Sequence, residues 1–202
     1  MKKLLIGVAV GLALAGCASP SKQSAQSSVS EKYRVLLDTS QGPIVIDVDR
    51  ALAPNGAKRF YDLVKAKYFD GARFYRVVPG FVVQWGAAAA PAVTKKWDST
   101  IPDDAVKATN TRGTMAFAAT GEPNSRTTHV FISLGNNARL DAMGFAPIGR
   151  VTSGMQAVDH LYSGYGEQPD QELIEVQGNA YLEKEFPRLD YIKTARIVSA
   201  SR

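Results

Sequence analysis

Three observations predict a mainly β domain carrying two amphipathic helices. Short runs rich in β-branched and aromatic residues recur along the chain, bounded by Gly, Pro, Asn or Ser; residues 33–37 and 44–48 flank Ser40-Gln41-Gly42-Pro43 as a hairpin would. Apolar spacing of three and four is confined to residues 51–67 and 155–162. Strands and helices do not alternate as βαβ units, so a parallel sheet is not expected.

The 202 residues suit one domain with an extension, and 45% hydrophobic with 21% charged residues is an ordinary globular composition. The extension is N-terminal. Lys2 and Lys3, an apolar run from Leu4 to Leu14 and then small residues form the three parts of a secretory signal over residues 1–16. That run is too short for a bilayer, which needs about 20 apolar residues. Leu14-Ala15-Gly16-Cys17 resembles a bacterial lipobox, in which the Cys is acylated and becomes the first mature residue. Cys17 is the only cysteine, so no disulfide explains it. Ala18 follows where Asp would imply retention at the inner membrane, so the resemblance implies a lipid anchor in the outer membrane, facing the periplasm. Residues 17–32 then read as lipidated Cys and flexible polar tether, and 33–202 as the domain. The formal charge is +5; without Lys2 and Lys3 there are 22 basic against 19 acidic residues, or +3. With no Lys/Arg block beyond Lys95-Lys96, nucleic acid is not an expected partner.

Pro54 suits a first helical turn, and Ala57, Phe60, Tyr61, Val64 and Tyr68 place one apolar face on the first helix. Residues 74–86 read as two short strands broken at Pro79-Gly80. Arg76 is their one charge. A guanidinium stays ionised, so it either pairs with an acid or keeps its donors for a ligand. Phe81 offers an apolar floor, Gln84 an amide and Gly86 room for close backbone approach. The alanine run 87–90 predicts no element, and Ile101-Pro102-Asp103-Asp104 reads as a solvated acidic loop. Residues 110–118 read as a turn and an alternating strand, and 145–151 as another strand. Met155, Val158, Leu161 and Tyr162 share a face of the second helix. Residues 164–171 read as a loop, 179–186 are compatible with a short extra helix, and 191–199 close the chain as a strand.

Phe74 to Gly86 resembles the signature of the cyclophilin family of peptidyl-prolyl cis–trans isomerases: aromatic, His, Arg, two aliphatics, any two residues, Phe, aliphatic, any, Gln, any, Gly. Tyr75 stands where the family usually has His. Residues 113–118 resemble the family's Gly-x-(Leu/Val)-(Ser/Ala)-Met-Ala segment. Pro123, Asn124, Ser125, Phe131 and Ile132 match its Pro-Asn-(Ser/Thr)-x-x-Ser-Gln-Phe-Phe-Ile pattern, with His129 in place of Gln. Residues 138–141 resemble its aromatic-Leu-Asp turn, with Arg139 replacing the aromatic residue. The resemblance spans residues 33–199 and implies an eight-stranded antiparallel barrel capped by two helices. It also implies no cofactor and proline-containing polypeptides as substrates; the chain is expected to be monomeric.

The chemistry so implied is rotation about an X-Pro bond, whose barrier of about 18–20 kcal/mol comes from C–N double-bond character. A site lowers it by binding the twisted amide better than either planar form. By resemblance the catalytic set is Arg76, Phe81 and Gln84, with Arg76 donating to the pyramidal nitrogen. Val82, Ala116, Phe117, His129, Phe131 and Leu140 are the implied substrate-binding residues. The family's cyclosporin site uses an aromatic, usually Trp, just before the Leu-Asp turn; here that position holds Arg139.

Two other function classes are weighed. The changes at Tyr75, His129 and Arg139 suit a cyclophilin-like peptide-binding or chaperone module without turnover. A structural envelope lipoprotein would carry heptads or a wall-binding segment, and neither is recognisable. Two histidines and no cysteine in the domain argue against a metal site, and the absence of Gly-x-Ser-x-Gly argues against a hydrolase elbow.

Overall fold

The computed structural model describes residues 31–198; the signal, Cys17 and the tether up to residue 30 lie outside the described residues, as does Ser199 of the expected last strand. Eight strands form one curled antiparallel sheet: β1 (Lys32–Thr39), β2 (Gly42–Asp49), β3 (Arg76–Val78), β4 (Val82–Trp85), β5 (Thr114–Phe117), β6 (Val130–Ser133), β7 (Pro147–Ser153) and β8 (Ile192–Val198). Their order across the sheet is β3-β4-β6-β5-β7-β2-β1-β8. The two outer strands approach each other through the segments that precede them. Arg73 bridges Tyr191, the Phe74 N–H donates to the Asp190 carbonyl at 3.0 Å, and the Ile192 N–H donates to the Ala72 carbonyl at 2.8 Å. β1 begins at Lys32, one residue before the expected start.

Two helices cap the barrel: α1 (Pro54–Lys65), which buries Gly56, Ala57, Phe60, Leu63 and Val64, and, later in the chain, α3 (Met155–Asp159), which buries Ala157 and Val158. Among the described residues the short extra helix expected over 179–186 is α5 (Asn179–Glu185), and α2 (Pro91–Trp97), α4 (Gln171–Gln177) and a 3₁₀ turn at Ala138–Leu140 are additions to the expected pattern. α4 and α5 bury Ile174 and Leu182 with Tyr75, Ala87 and Leu189, a cluster separate from the barrel interior. The alanine run threads between these pieces. Ala87 and Ala88 are buried, the Ala88 N–H donates to Thr94 Oγ1 at 3.0 Å, and the Ala89 carbonyl accepts from the Asn179 N–H at 3.1 Å.

The acidic loop is not solvated throughout. Asp104 is buried and accepts the N–H groups of Asn55 and Gly56, at 3.0 and 2.9 Å, at the start of α1. Those amides have no partner within the helix, and the helix end favours a negative charge. Arg126, 2% exposed, neutralises Asp104 at 3.1 Å and also contacts Asp103 and the Pro102 carbonyl. A buried carboxylate needs such partners, a pairing that local composition does not reveal.

Candidate active site

Strand alternation divides β4, β5 and β6 between two faces. Val83, Trp85, Met115, Phe117, Val130 and Ile132 enter the barrel interior, whereas Val82, Ala116 and Phe131 form a second cluster with Leu140. Phe81, Ala118 and Phe145 pack at the edge of that second cluster. Over it opens a groove of about 470 Å³, whose apolar floor includes Phe81, Val82, Phe131, Leu140 and Phe145. Arg76, Gln84 and His129 supply polar groups to the same groove.

Local chemistry places these residues. Pro79-Gly80, with Gly80 at φ +74°, makes the tight turn between β3 and β4, closed by the Phe81 N–H donating to the Val78 carbonyl at 3.0 Å. Antiparallel pairing then sets Arg76 opposite Gln84 and Gln84 opposite Phe131. The Asn137 side chain donates to the Phe81 carbonyl at 2.8 Å. Asp141 accepts the backbone and side-chain N–H groups of Asn110, at 2.9 and 2.7 Å, and so fixes the turn that presents Leu140. The Asn110 backbone N–H, foremost, holds the Asp141 carboxyl below the usual carboxylate range.

Phe117 is a correction. It was expected beside Ala116 in the substrate pocket, but adjacent residues of a strand face opposite ways, and Phe117 lies in the interior under α1, 1% exposed. Ala116 is fully buried beneath the groove rather than in its wall.

A continuous series of hydrogen bonds crosses the polar side of the site. Arg76 donates from Nε to Glu167 Oε1 at 2.7 Å and from Nη1 to Gln84 Oε1 at 3.0 Å. Gln84 Nε2 donates to the Tyr75 hydroxyl at 2.8 Å; that hydroxyl lies 2.6 Å from His129 Nδ1, and His129 Nε2 lies 2.7 Å from Glu175 Oε1. Burial pushes the Tyr75 hydroxyl far above the ordinary tyrosine range, against the opposing pull of the Gln84 hydrogen bond, so it stays protonated. Gly86 permits the close approach: a Cβ there would lie 2.2 Å from His129 Cα.

The structure brings Arg76, Phe81, Val82, Gln84, His129, Phe131 and Leu140 together around one groove. It adds Phe145, Ser125, Thr127, Glu167 and Gln171, which the sequence reading did not assign to a site. Phe145 begins a motif-like segment and could have been found there; Glu167 falls in a patternless loop and Gln171 where α4 follows it, with no signal for their position.

Residues 34–178 match the family described as cyclophilin type peptidyl-prolyl cis-trans isomerase/CLD. The chain belongs to this cyclophilin family. It is 34% identical to peptidyl-prolyl cis-trans isomerase A of Dickeya dadantii over 165 residues, covering 79% of this chain and 84% of that one. It is 36% identical to a peptidyl-prolyl cis-trans isomerase of Acinetobacter baylyi over 132 residues, covering 63% of this chain and 70% of that one. A cyclophilin structure from Hirschia baltica superposes with a TM-score of 0.66 at 18% identity, covering 92% of this chain and 83% of that one, and shows the shared fold. This cyclophilin is thus a peptidyl-prolyl cis–trans isomerase, acting on proline-containing polypeptides. Its groove suits that reaction: a permanent cation and an amide stand beside an apolar floor, where a donor acts more strongly than in water.

Proposed function

We propose that this cyclophilin isomerises X-Pro bonds of folding proteins in the bacterial cell envelope, anchored by lipid on Cys17 and reaching its substrates on the Ser-rich tether. In this reading the proline ring rests on Phe81, Val82, Phe131 and Leu140. Arg76 donates to the pyramidal nitrogen of the twisted amide, and Gln84 holds the adjacent substrate carbonyl. No nucleophile and no net proton transfer are required, because the barrier is lost amide resonance. The observation that carries the assignment of roles is the 3.0 Å bond from Arg76 Nη1 to Gln84 Oε1, made at the edge of the apolar floor. It holds the guanidinium at the groove before substrate arrives, so little reorganisation is needed on binding.

The test is an isomerisation assay on a proline peptide with the full chain, solubilised in detergent, run alongside membrane fractionation and intact mass of the cell-derived protein. Accelerated exchange together with an acylated, membrane-associated chain is the expected result. A soluble chain without acyl mass removes the anchoring, and a folded chain without turnover removes the assigned roles.

A further inference from the structure

Two of the places where the motifs depart from the family pattern, Tyr75 and His129, touch each other at 2.6 Å. Their polarity can be worked out from the end of the series. Arg76 can only donate, so Gln84 must turn Oε1 toward it and Nε2 toward Tyr75. The Tyr75 hydroxyl, already accepting from Gln84, has its own hydrogen to place, and His129 Nδ1 is its partner. That nitrogen must therefore be unprotonated, which leaves the Nε2 hydrogen for Glu175 on α4. Every donor meets an acceptor in one direction only, from Arg76 to Glu175.

We infer that Tyr75, His129 and Glu175 are positioning residues that hold Gln84 and Arg76 in their working orientation, and that protonation of His129 switches this isomerase down. The inference rests on Arg76 and Gln84 being the catalytic pair. A proton on Nδ1 turns that nitrogen into a donor. Tyr75, 1% exposed, then has two donors facing its oxygen and no acceptor for its hydrogen. An unsatisfied buried hydroxyl is costly. The alternative is to rotate the Gln84 amide so that Oε1 accepts from Tyr75, which sets an NH2 against the Arg76 guanidinium and breaks that bond. Either outcome disturbs the pair at the groove.

The titratable and charged groups around His129 are Glu175 on α4, Tyr75 and Arg76 at β3, and Tyr68, whose hydroxyl donates to the Gly86 carbonyl at 2.9 Å and bonds Thr128 at 3.2 Å. Burial raises both tyrosines above their ordinary range and keeps them neutral. Glu175 is the partner of Nε2, at 2.7 Å from it.

The experiment is kcat/KM of the full chain against pH, by NMR exchange on a proline peptide with no group titrating in the interval. Wild type should fall roughly tenfold with a single-proton limb between about pH 8 and about pH 5, the interval of histidine titration. His129→Gln removes the titrating ring and should abolish the limb. Tyr75→Phe cuts the link and should abolish it too, with kcat lowered and KM little changed. Glu175→Gln takes the carboxylate away from Nε2 and should lower kcat with KM little changed, and being part exposed it serves if a buried variant proves unfolded by its melting transition. A flat wild-type profile overturns the inference, as does a wild-type limb retained in folded His129→Gln. Arg76→Ala, measured at the upper pH, separates the two readings. Full activity there overturns both. Lost activity there, with the limb retained in His129→Gln, overturns the relay alone.

Discussion

The Arg139 guanidinium carbon lies 4.6 Å from the centroid of the Phe81 ring, while Arg76 approaches the same ring at 5.5 Å. In the proposed assignment of the groove, its rim carries a cation where the family pattern has a flat aromatic wall with one N–H donor. Loss of that wall and donor should weaken cyclosporin by roughly 1–3 kcal/mol, about 10- to 100-fold in affinity. Inhibition titrations should find an active enzyme of low sensitivity, with Arg139→Trp regaining part of it. Tight inhibition of the wild type would show that Arg139 does not occupy the wall.

Arg76→Ala should lower kcat/KM on the order of 10²-fold or more in a domain that stays folded, as expected when one preorganised donor is removed. Arg76→Lys should rescue little. The guanidinium spans Gln84 and Glu167 at once through separate nitrogens, and a single ammonium cannot reproduce that fork. Steady-state assays with melting curves decide it.

Arg126→Ala should destabilise the fold by about 3–5 kcal/mol, because it leaves Asp104 buried without its cation. Asp104→Asn should be costly as well, since it removes the charge that meets two free amides of α1. Neither side chain lines the groove, so urea midpoints should move much more than kcat at low temperature. An unchanged midpoint in Arg126→Ala would remove this ion pair from the account of stability.

Three carboxyls sit below their usual range. Hydrogen bonding from Arg34 lowers Asp47, and the Asn110 backbone N–H lowers Asp141. For Asp70, burial pushes upward but is outweighed by Arg196 and the Ala195 N–H. A depressed folded-state pKa means that the unfolded chain binds protons first as pH falls. The stability these groups contribute is therefore complete above the unfolded value, about pH 4, and is lost below it. Melting temperatures should hold from about pH 7 down to about pH 5 and then drop, less steeply in Asp47→Asn and Asp70→Asn variants.

Cys17→Ser should move the protein from the membrane to the soluble fraction with isomerase activity retained, because the groove is lined only by residues between 76 and 171. Fractionation and mass spectrometry of both forms check it; identical fractionation would end the lipobox reading.

Much of the fold follows from local pattern. The alternation in residues 33–37 and 44–48, the Pro79-Gly80 turn and the apolar face of Ala57, Phe60 and Val64 each encode an element within a few residues, and each is present. The order Arg76, Phe81, Gln84 was legible for the same reason: one hairpin holds all three, so register alone brings Arg76 opposite Gln84. Phe117 was misplaced because it was assigned to the same face as its strand neighbour Ala116, and alternation sends the two to opposite faces.

What only the tertiary structure decided are pairings across long stretches of chain. Glu167 reaches Arg76, Glu175 reaches His129 and Asp104 reaches Arg126, from segments with no periodic pattern to mark them. The sequence alone determined that one permanent cation and one amide face each other across a turn, since strand pairing is a local matter. Whether Tyr75 and His129 are two unrelated departures or one hydrogen-bonded pair depended on folding β4 against β6 and α4 over both. Hydrogen-bond polarity passes through space between side chains, and a linear chain does not carry that information until it is closed into a barrel.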